Sequence, residues 1–207
     1  MTGYELLLLW FAWVVAGASP GPATLGIAST SMSLGRRAGM IFALGILSGG
    51  AVWGIVAALG MSALMLANAW MVEVLRYIGA AYLLFLAVKS LRSALSTKLQ
   101  TTPKVQGRSA LRIYAKGALI HLTNPKAILS WGAVYAISLP ADAAPATVAF
   151  MFAFLYSGGI LVFISYALLF SSPKVVRGYT RLRRWFEGVF VLLFGAAALK
   201  ILTARLA

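Results

Sequence analysis

The chain has 207 residues, 61% of them hydrophobic, and a mean hydropathy of +0.90. Soluble domains contain about 45–50% apolar residues, and a domain of this size leaves much of its surface in water. The composition therefore excludes an ordinary soluble protein and predicts an integral membrane protein. The formal net charge is +14, but the basic residues lie between long apolar runs, which indicates membrane topology rather than nucleic-acid binding. The chain has no cysteine, which excludes disulfides and thiolate metal sites.

The N-terminal segment is predicted to be a retained membrane helix. A signal peptide begins with basic residues, whereas the first basic residue here is Arg36. A membrane-spanning helix needs about 20 apolar residues, and the hydropathy predicts six such spans. In chain order they are roughly Leu6–Ser31, Gly39–Leu66, Trp70–Ser90, Tyr114–Ile137, Pro145–Phe170 and Trp185–Leu202.

The polar stretch Leu91–Ile113 is predicted to be a flexible loop between two halves of the chain. We expect a first three-helix unit in residues 1–92, a cytoplasmic loop in residues 93–111 and a second unit in residues 112–207. Most basic residues lie in or beside alternate loops, and cytoplasmic loops are enriched in Lys and Arg. This bias places both termini outside the cytoplasm and the loop Lys98–Arg108 inside it. The same residues are expected to contact anionic lipids.

Short motifs recur in the same order in the two halves. Pro20 and Pro125 lie in spans one and four, and Ser48-Gly49-Gly50 in span two recurs as Ser157-Gly158-Gly159 in span five. Gly79-Ala80-Ala81 in span three recurs as Gly195-Ala196-Ala197 in span six. A three-span unit used twice must reverse its direction in the membrane. The predicted fold is therefore an all-α membrane protein with two inverted three-helix repeats, as in many secondary transporters.

Helix breaks provide the candidate site. Proline removes a backbone hydrogen bond and clashes with the preceding turn, so Ser19-Pro20-Gly21-Pro22 and Asn124-Pro125-Lys126 should each interrupt a span. Backbone groups freed at membrane depth need burial in protein or a wet cavity. Freed N–H groups suit a carboxylate and freed carbonyls suit a cation, and an amino acid carries both charges. The alternative is a pair of simple proline kinks. The predicted substrate-binding residues are Ser19, Pro20, Gly21, Pro22, Thr24, Asn124, Pro125 and Lys126.

Lys126 and His121 are the candidates for proton coupling. A lysine within a span is costly and is usually functional or paired. Lys126 either binds a substrate carboxylate, extends its stem towards the membrane surface or bonds to carbonyls freed by the break. His121, the single histidine, either relays a proton or packs between helices. All four acids fall near predicted span ends, so no carboxylate is expected at a span centre. These acids are Glu5, Glu73, Asp142 and Glu187.

The chain resembles the lysine-exporter/homoserine–threonine-resistance (LysE/RhtB) family of amino-acid exporters. The resemblance is carried by Ser19-Pro20-Gly21-Pro22, by Gly35-Arg36-Arg37-Ala38-Gly39, by Asn124-Pro125-Lys126-Ala127 and by Arg184-Trp185 with Gly188 and Gly195. It implies a bacterial inner-membrane exporter driven by the proton gradient. Ala23 stands where many relatives carry Asp or Asn, and His121 stands where relatives often have Asn. The basic-amino-acid branch has Gly-Pro-Gln in the first motif, so the resemblance indicates a small neutral amino acid.

The predicted function is proton-coupled export of a small neutral amino acid or derivative by alternating access. Close-spaced glycines in span two suit the repeat interface, sliding gates or a homodimer. The alternative function is a non-transporting structural or assembly subunit of a membrane complex. An enzyme is disfavoured, because the sequence shows no nucleophile–base pair and no metal-ligand cluster. We expect no catalytic residues, no cofactor, no metal and no nucleic-acid partner, and none of the six tryptophans is assigned to a ligand.

Overall fold

A computed structural model describes residues 2–67, 109–140 and 143–203, together with 77–78, 81, 84–85, 87–88, 90–92 and 94–95. Most of the predicted third span and of the loop 93–111 lies outside these residues, as do Glu73, Asp142 and most of the motif at residues 79–81. The described part of the chain is helical and contains no strand, which confirms the all-α class. The helices are α1 (Gly3–Ala18), α2 (Pro22–Ala67), α3 (Ala110–Leu122), α4 (Pro125–Ser138), α5 (Pro145–Leu169) and α6 (Pro173–Thr203).

Both predicted helix breaks are present. Helix α1 ends at Ala18, and the chain resumes as a helix at Pro22, so predicted span one is interrupted at residues 19–21. Predicted span four is interrupted in the same way between α3 and α4, where Asn124 is the N-cap and Pro125 is the first helical residue. Proline suits that first position because its missing N–H would have no helical partner there.

Helix α2 folds back on itself at Gly35. This residue has φ 83° and ψ 173°, a conformation that glycine adopts far more readily than other residues. A Cβ added to Gly39 would overlap Ser31, and one added to Gly26 would lie 2.8 Å from the ring of Phe42. The segments 22–34 and 36–67 therefore form a tightly packed antiparallel hairpin, which closes predicted span one onto span two.

Two pairs of helices run parallel in close contact. Segment 36–60 packs along α3, where added Cβ atoms at Gly45 and Gly117 would overlap the backbone carbonyls of Tyr114 and Phe42. Helix α1 packs along α5, where an added Cβ at Gly158 would lie 3.0–3.3 Å from side chains of α1. Glycine permits these close approaches because it has no side chain.

The core consists of two hydrophobic clusters on opposite sides of the breaks. One cluster joins the Gly35 hairpin to the start of α3 and the end of α5, and we call this side the Gly35 end. The other joins the start of α1 to the end of α4 and the start of α5, and we call it the Thr2 end. Arg36 and Lys174 belong to the Gly35 end, because Arg36 Nε donates to Ser171 Oγ at 3.4 Å. The segments that form the Thr2 end contain no Lys or Arg.

Helix lengths differ from the predicted spans. Among the residues that the structure describes, two helical segments are long and apolar enough to cross a membrane, namely Pro22–Gly60 and Pro145–Leu169. Helices α1, α3 and α4 have only 16, 13 and 14 residues because the breaks divide them. Helix α3 begins at Ala110, four residues before predicted span four, since Ser109 caps it by accepting from Arg112 N–H at 3.3 Å. The described residues among 91–95 are also helical, although the sequence predicts a loop there.

Glu187 lies in a helix that begins well before the predicted sixth span. Helix α6 is continuous over 31 residues from Pro173, so Glu187 lies near its middle rather than near a helix end. Its side chain is only 2% exposed. The prediction placed Glu187 at a span end because hydropathy begins the apolar run at Trp185, whereas the helix itself begins twelve residues earlier, in a basic segment.

Candidate functional site

The two breaks face a common cavity. Its volume, counted as the space open to the centre of a water molecule, is about 70 Å³. One water needs roughly 10–15 Å³ on this measure, so the cavity has room for a small organic molecule. Among the predicted site residues, those that line it are Ser19, Gly21, Thr24, His121, Asn124 and Lys126. Pro20, Pro22 and Pro125 do not line the cavity. They lie at the points where the helices end and restart.

The first break is held by short-range hydrogen bonds. Ser19 closes α1, and its hydroxyl donates to Ala16 O at 2.8 Å. Thr24 Oγ1 accepts from Gly21 N–H at 3.0 Å and lies 3.3 Å from the carbonyl oxygens of Ser19 and Gly21. Ser19 and Thr24 are both buried. Thr24 therefore fixes the loop of the first break from inside the second half-helix.

The second break is closed by Asn124. Its Oδ1 accepts from Lys126 N–H at 3.1 Å, and its carbonyl accepts from Ala127 N–H at 2.9 Å. The side chain is 4% exposed. An asparagine cap followed by proline is a strong helix start, so this local geometry follows directly from the sequence.

Lys126 connects the two breaks. Its Nζ donates to Ser19 O at 3.2 Å and also to Ser19 Oγ, across 107 positions of sequence. Two predicted site residues that lie far apart in the chain are thus brought into direct contact. One of the alternatives left open by the sequence, a bond from this lysine to a carbonyl freed by a break, is the arrangement observed.

Aromatic side chains support each half-helix from its parallel partner. Tyr166 OH donates at 2.7 Å to Ala18 O, the last carbonyl of α1, and Trp53 Nε1 donates at 3.1 Å to Leu122 O, the last carbonyl of α3. Helix ends leave such carbonyls without helical partners. The breaks are therefore built into the packing and are more than local kinks.

The serines of the repeated Ser-Gly-Gly motif make a second matched set of contacts. Trp10 Nε1 on α1 donates to Ser157 Oγ on α5 at 3.1 Å. Tyr114 OH on α3 donates to Ser48 Oγ on α2 at 2.6 Å. Each motif serine thus receives a hydrogen bond from an aromatic residue in the first half of a broken span. The sequence showed the motif but gave no sign of these partners.

His121 lies on the cavity wall and is 6% exposed. Its ring meets Phe163 edge-on, with 5.6 Å between centroids. Within the described part of the chain, Nδ1 is buried without a hydrogen-bond partner. A Cβ added to Gly50 would lie 3.4 Å from Nε2 and near no atom outside this ring, so open space adjoins that nitrogen.

An aromatic wall separates the cavity from the Thr2 end, and sequence reasoning missed it. Trp13 on α1 and Trp131 on α4 both line the cavity, with 4.8 Å between their ring centroids. Trp131 also contacts Phe152, with 5.7 Å between ring centroids. Tryptophans are common at membrane interfaces and in packed cores alike, so their spacing along the chain carries no signal that distinguishes a cavity wall.

The chain is similar in sequence to bacterial efflux proteins. The threonine efflux protein of Salmonella typhi is 31% identical over 206 residues, covering 97% of this chain and 100% of that protein. The threonine efflux protein of Escherichia coli K12 is 31% identical over 194 residues, covering 93% and 94%. The homoserine/homoserine lactone efflux protein of Salmonella typhimurium is 28% identical over 130 residues, covering 61% and 62%. No solved structure matches the chain significantly.

The family whose sequence model matches residues 14–205 is described as LysE type translocator. The match includes both breaks, the Gly35 hairpin and all the cavity-lining residues except Trp13. It confirms the resemblance drawn from the motifs, and translocators are membrane transporters rather than enzymes. The chain belongs to the LysE type translocator family.

Proposed function

We propose that this protein exports a small neutral amino acid of the threonine type from the bacterial cytoplasm across the inner membrane. The observation that carries the proposal is the Lys126–Ser19 contact, which joins two helix breaks inside one cavity. Relatives named threonine efflux proteins, similar over almost the whole chain, support the substrate class. The first motif lacks the Gly-Pro-Gln sequence of the branch that exports basic amino acids, which agrees with a substrate that has a neutral side chain.

The chemistry of the cavity suits a zwitterion. The Lys126 ammonium donates to the carbonyl and hydroxyl oxygens of Ser19. A bound amino acid brings its own ammonium, which takes the place of the lysine on those oxygens, while its carboxylate pairs with Lys126. The substrate ammonium thus takes over the two Ser19 oxygens, and its carboxylate adds a charge-assisted contact to Lys126; such contacts are the stronger hydrogen bonds in proteins.

The matched contacts support two inverted repeats of three spans each. Trp10–Ser157 corresponds to Tyr114–Ser48, and the Tyr166 bond to the end of α1 corresponds to the Trp53 bond to the end of α3. In this architecture the broken spans cross the membrane as pairs of half-helices, so their short lengths are expected. The remaining spans are segment 36–67, α5, α6 and the segment around residues 70–90.

The orientation follows from charge. The Gly35 end carries Arg36 and Lys174, whereas the segments of the Thr2 end carry no basic residue, so the Gly35 end faces the cytoplasm and both termini face outward. The basic side chains contact anionic lipid headgroups there. Within the protomer, Gly45 and Gly49 pack against α3, Gly39 packs against Ser31, and Gly54 packs against Phe152 and Trp131. A homodimer would therefore use another surface.

Transport proceeds by alternating access. The aromatic wall of Trp13 and Trp131 forms the outer barrier, and the cluster around the Gly35 hairpin forms the inner one. Export is coupled to protons, with Lys126 as the carrier and His121 as its candidate partner. The substrate carboxylate pairs with Lys126 only while the lysine is protonated, so substrate binding and proton binding at this residue are linked.

The test is a panel of amino acids in proteoliposomes with and without an imposed pH gradient. We expect counterflow of threonine and its close analogues, net movement when the gradient is imposed, and resistance of cells that overproduce the protein. A correctly inserted protein that moves no amino acid from the panel would refute the proposal and favour a structural subunit.

A further inference from the structure

The ring of His121 is an unused hydrogen-bonding group at the edge of the cavity. Only 6% of its surface is exposed, and Nδ1 has no hydrogen-bond partner in the described part of the chain. In a neutral imidazole one ring nitrogen donates and the other accepts, so this ring has hydrogen-bonding capacity left for a ligand at Nε2. The break itself does not need this ring, because Asn124 caps α4 and Trp53 binds the end of α3.

The structure leaves open space beside Nε2 of the His121 ring. A Cβ on Gly50 would lie 3.4 Å from Nε2 and 3.6 Å from Cδ2, and no other described atom outside its own helix lies within 4 Å. A ligand atom placed slightly closer to the ring would be at hydrogen-bond distance from Nε2, about 2.7–3.2 Å. Gly50 and His121 both line the cavity that contains Lys126 and Ser19.

We infer that Nε2 of His121 and the open face of Gly50 form a subsite that selects substrates with a side-chain hydroxyl. This inference rests on the proposed function and adds the reason for its substrate class. The ammonium and carboxylate of the substrate bind at Ser19 and Lys126, and the hydroxyl bonds to the imidazole. The edge contact with Phe163 holds the ring in place.

Threonine and valine, which have the same shape, provide the first test. The wild-type protein should prefer threonine to valine in counterflow by roughly ten-fold to a hundred-fold, since an apolar analogue leaves a buried polar group unpaired. His121→Phe keeps an aromatic ring against Phe163 but removes both nitrogens. We expect its threonine-to-valine ratio, measured in counterflow without a pH gradient, to fall below about one third of the wild-type preference.

A second variant tests the subsite without altering the histidine. Gly50→Ala fits by ordinary contact but fills the space beside Nε2, so threonine transport should fall at least about five-fold relative to alanine transport. Gly159→Ala is the matched control, because Gly159 lines the same cavity in the corresponding motif and a Cβ there meets no atom within 4 Å. Its threonine-to-alanine ratio should equal that of the wild type.

The outcomes separate this inference from the proposed function. An unchanged threonine-to-valine ratio in His121→Phe overturns it, as does a Gly50→Ala variant that behaves like Gly159→Ala. If His121→Phe keeps the wild-type ratio in counterflow, the inference fails even where transport driven by a pH gradient is lost, because that loss reports proton coupling and not selection of the side chain. If His121→Phe does not insert, Gly50→Ala decides alone. If wild-type protein moves no amino acid, the proposed function fails first.

Discussion

Replacement of Lys126 by methionine tests the centre of the proposed site. Methionine keeps much of the length of the lysine stem but removes the ammonium, and with it both contacts to Ser19. In the loaded site the ammonium binds the substrate carboxylate. A hydrogen bond to a charged group contributes about 1.5–3 kcal/mol, and each 1.4 kcal/mol is a tenfold change in affinity. The apparent affinity for threonine should therefore fall roughly ten-fold to 150-fold, and gradient-driven export should be abolished.

Counterflow and gradient-driven transport in proteoliposomes measure this effect separately. Lys174→Met is the matched control, because Lys174 is an exposed lysine at the start of α6 and its loss should leave both activities unchanged. Lys126→Arg should bind threonine but couple poorly, because arginine stays protonated. Wild-type transport by Lys126→Met, both with and without a pH gradient, would remove this residue from the site and from coupling.

The other predictions concern packing, the breaks and topology. Gly45→Ala should lower the unfolding midpoint in detergent by several degrees, because an added Cβ would overlap the carbonyl of Tyr114 and overpacking costs roughly 1–3 kcal/mol; an unchanged midpoint, equal to that of Gly159→Ala, would contradict the close helix contact. Pro20→Ala and Pro125→Ala should insert normally but transport less, since a restored helical turn removes free donors and acceptors; full transport in both would make the prolines mere kinks. A single cysteine at position 100 of the cysteine-free chain should react with an impermeant maleimide only from the cytoplasmic side. Labelling from outside would show that the chain has the opposite orientation in the membrane.

The breaks were predictable because their causes are local. Proline cannot continue the hydrogen-bonding pattern of a helix, whatever surrounds it, and asparagine before proline is a start signal in any context. Ser19, Thr24 and Asn124 could therefore be assigned to the site before any tertiary contact was known. The sequence also predicted the turn between spans one and two, where Gly35 adopts its left-handed φ.

The partners of these residues depend on packing between distant segments, which local patterns do not encode. The sequence left three roles open for Lys126, and only the folded chain brings its ammonium to Ser19. The burial of Glu187 was hidden because hydropathy registers apolar side chains and not the continuity of a helix through a basic segment. Trp13 and Trp131 were likewise indistinguishable from interfacial anchors until their rings were found on the cavity wall.

The distribution of polar contacts suggests how the site opens. Four hydrogen bonds lie within the two parallel pairs, α1 with α5 and segment 36–60 with α3. Between these pairs, Tyr156 OH donates to Leu47 O at 3.2 Å, and a Cβ added to Gly54 would lie 2.6 Å from the ring of Phe152. Lys126 lies on α4, outside both pairs, and extends to the end of α1. In the alternating access that we propose, a substrate that takes over the Ser19 oxygens would release this link between α4 and α1, so binding would change the contact that joins the two helix breaks.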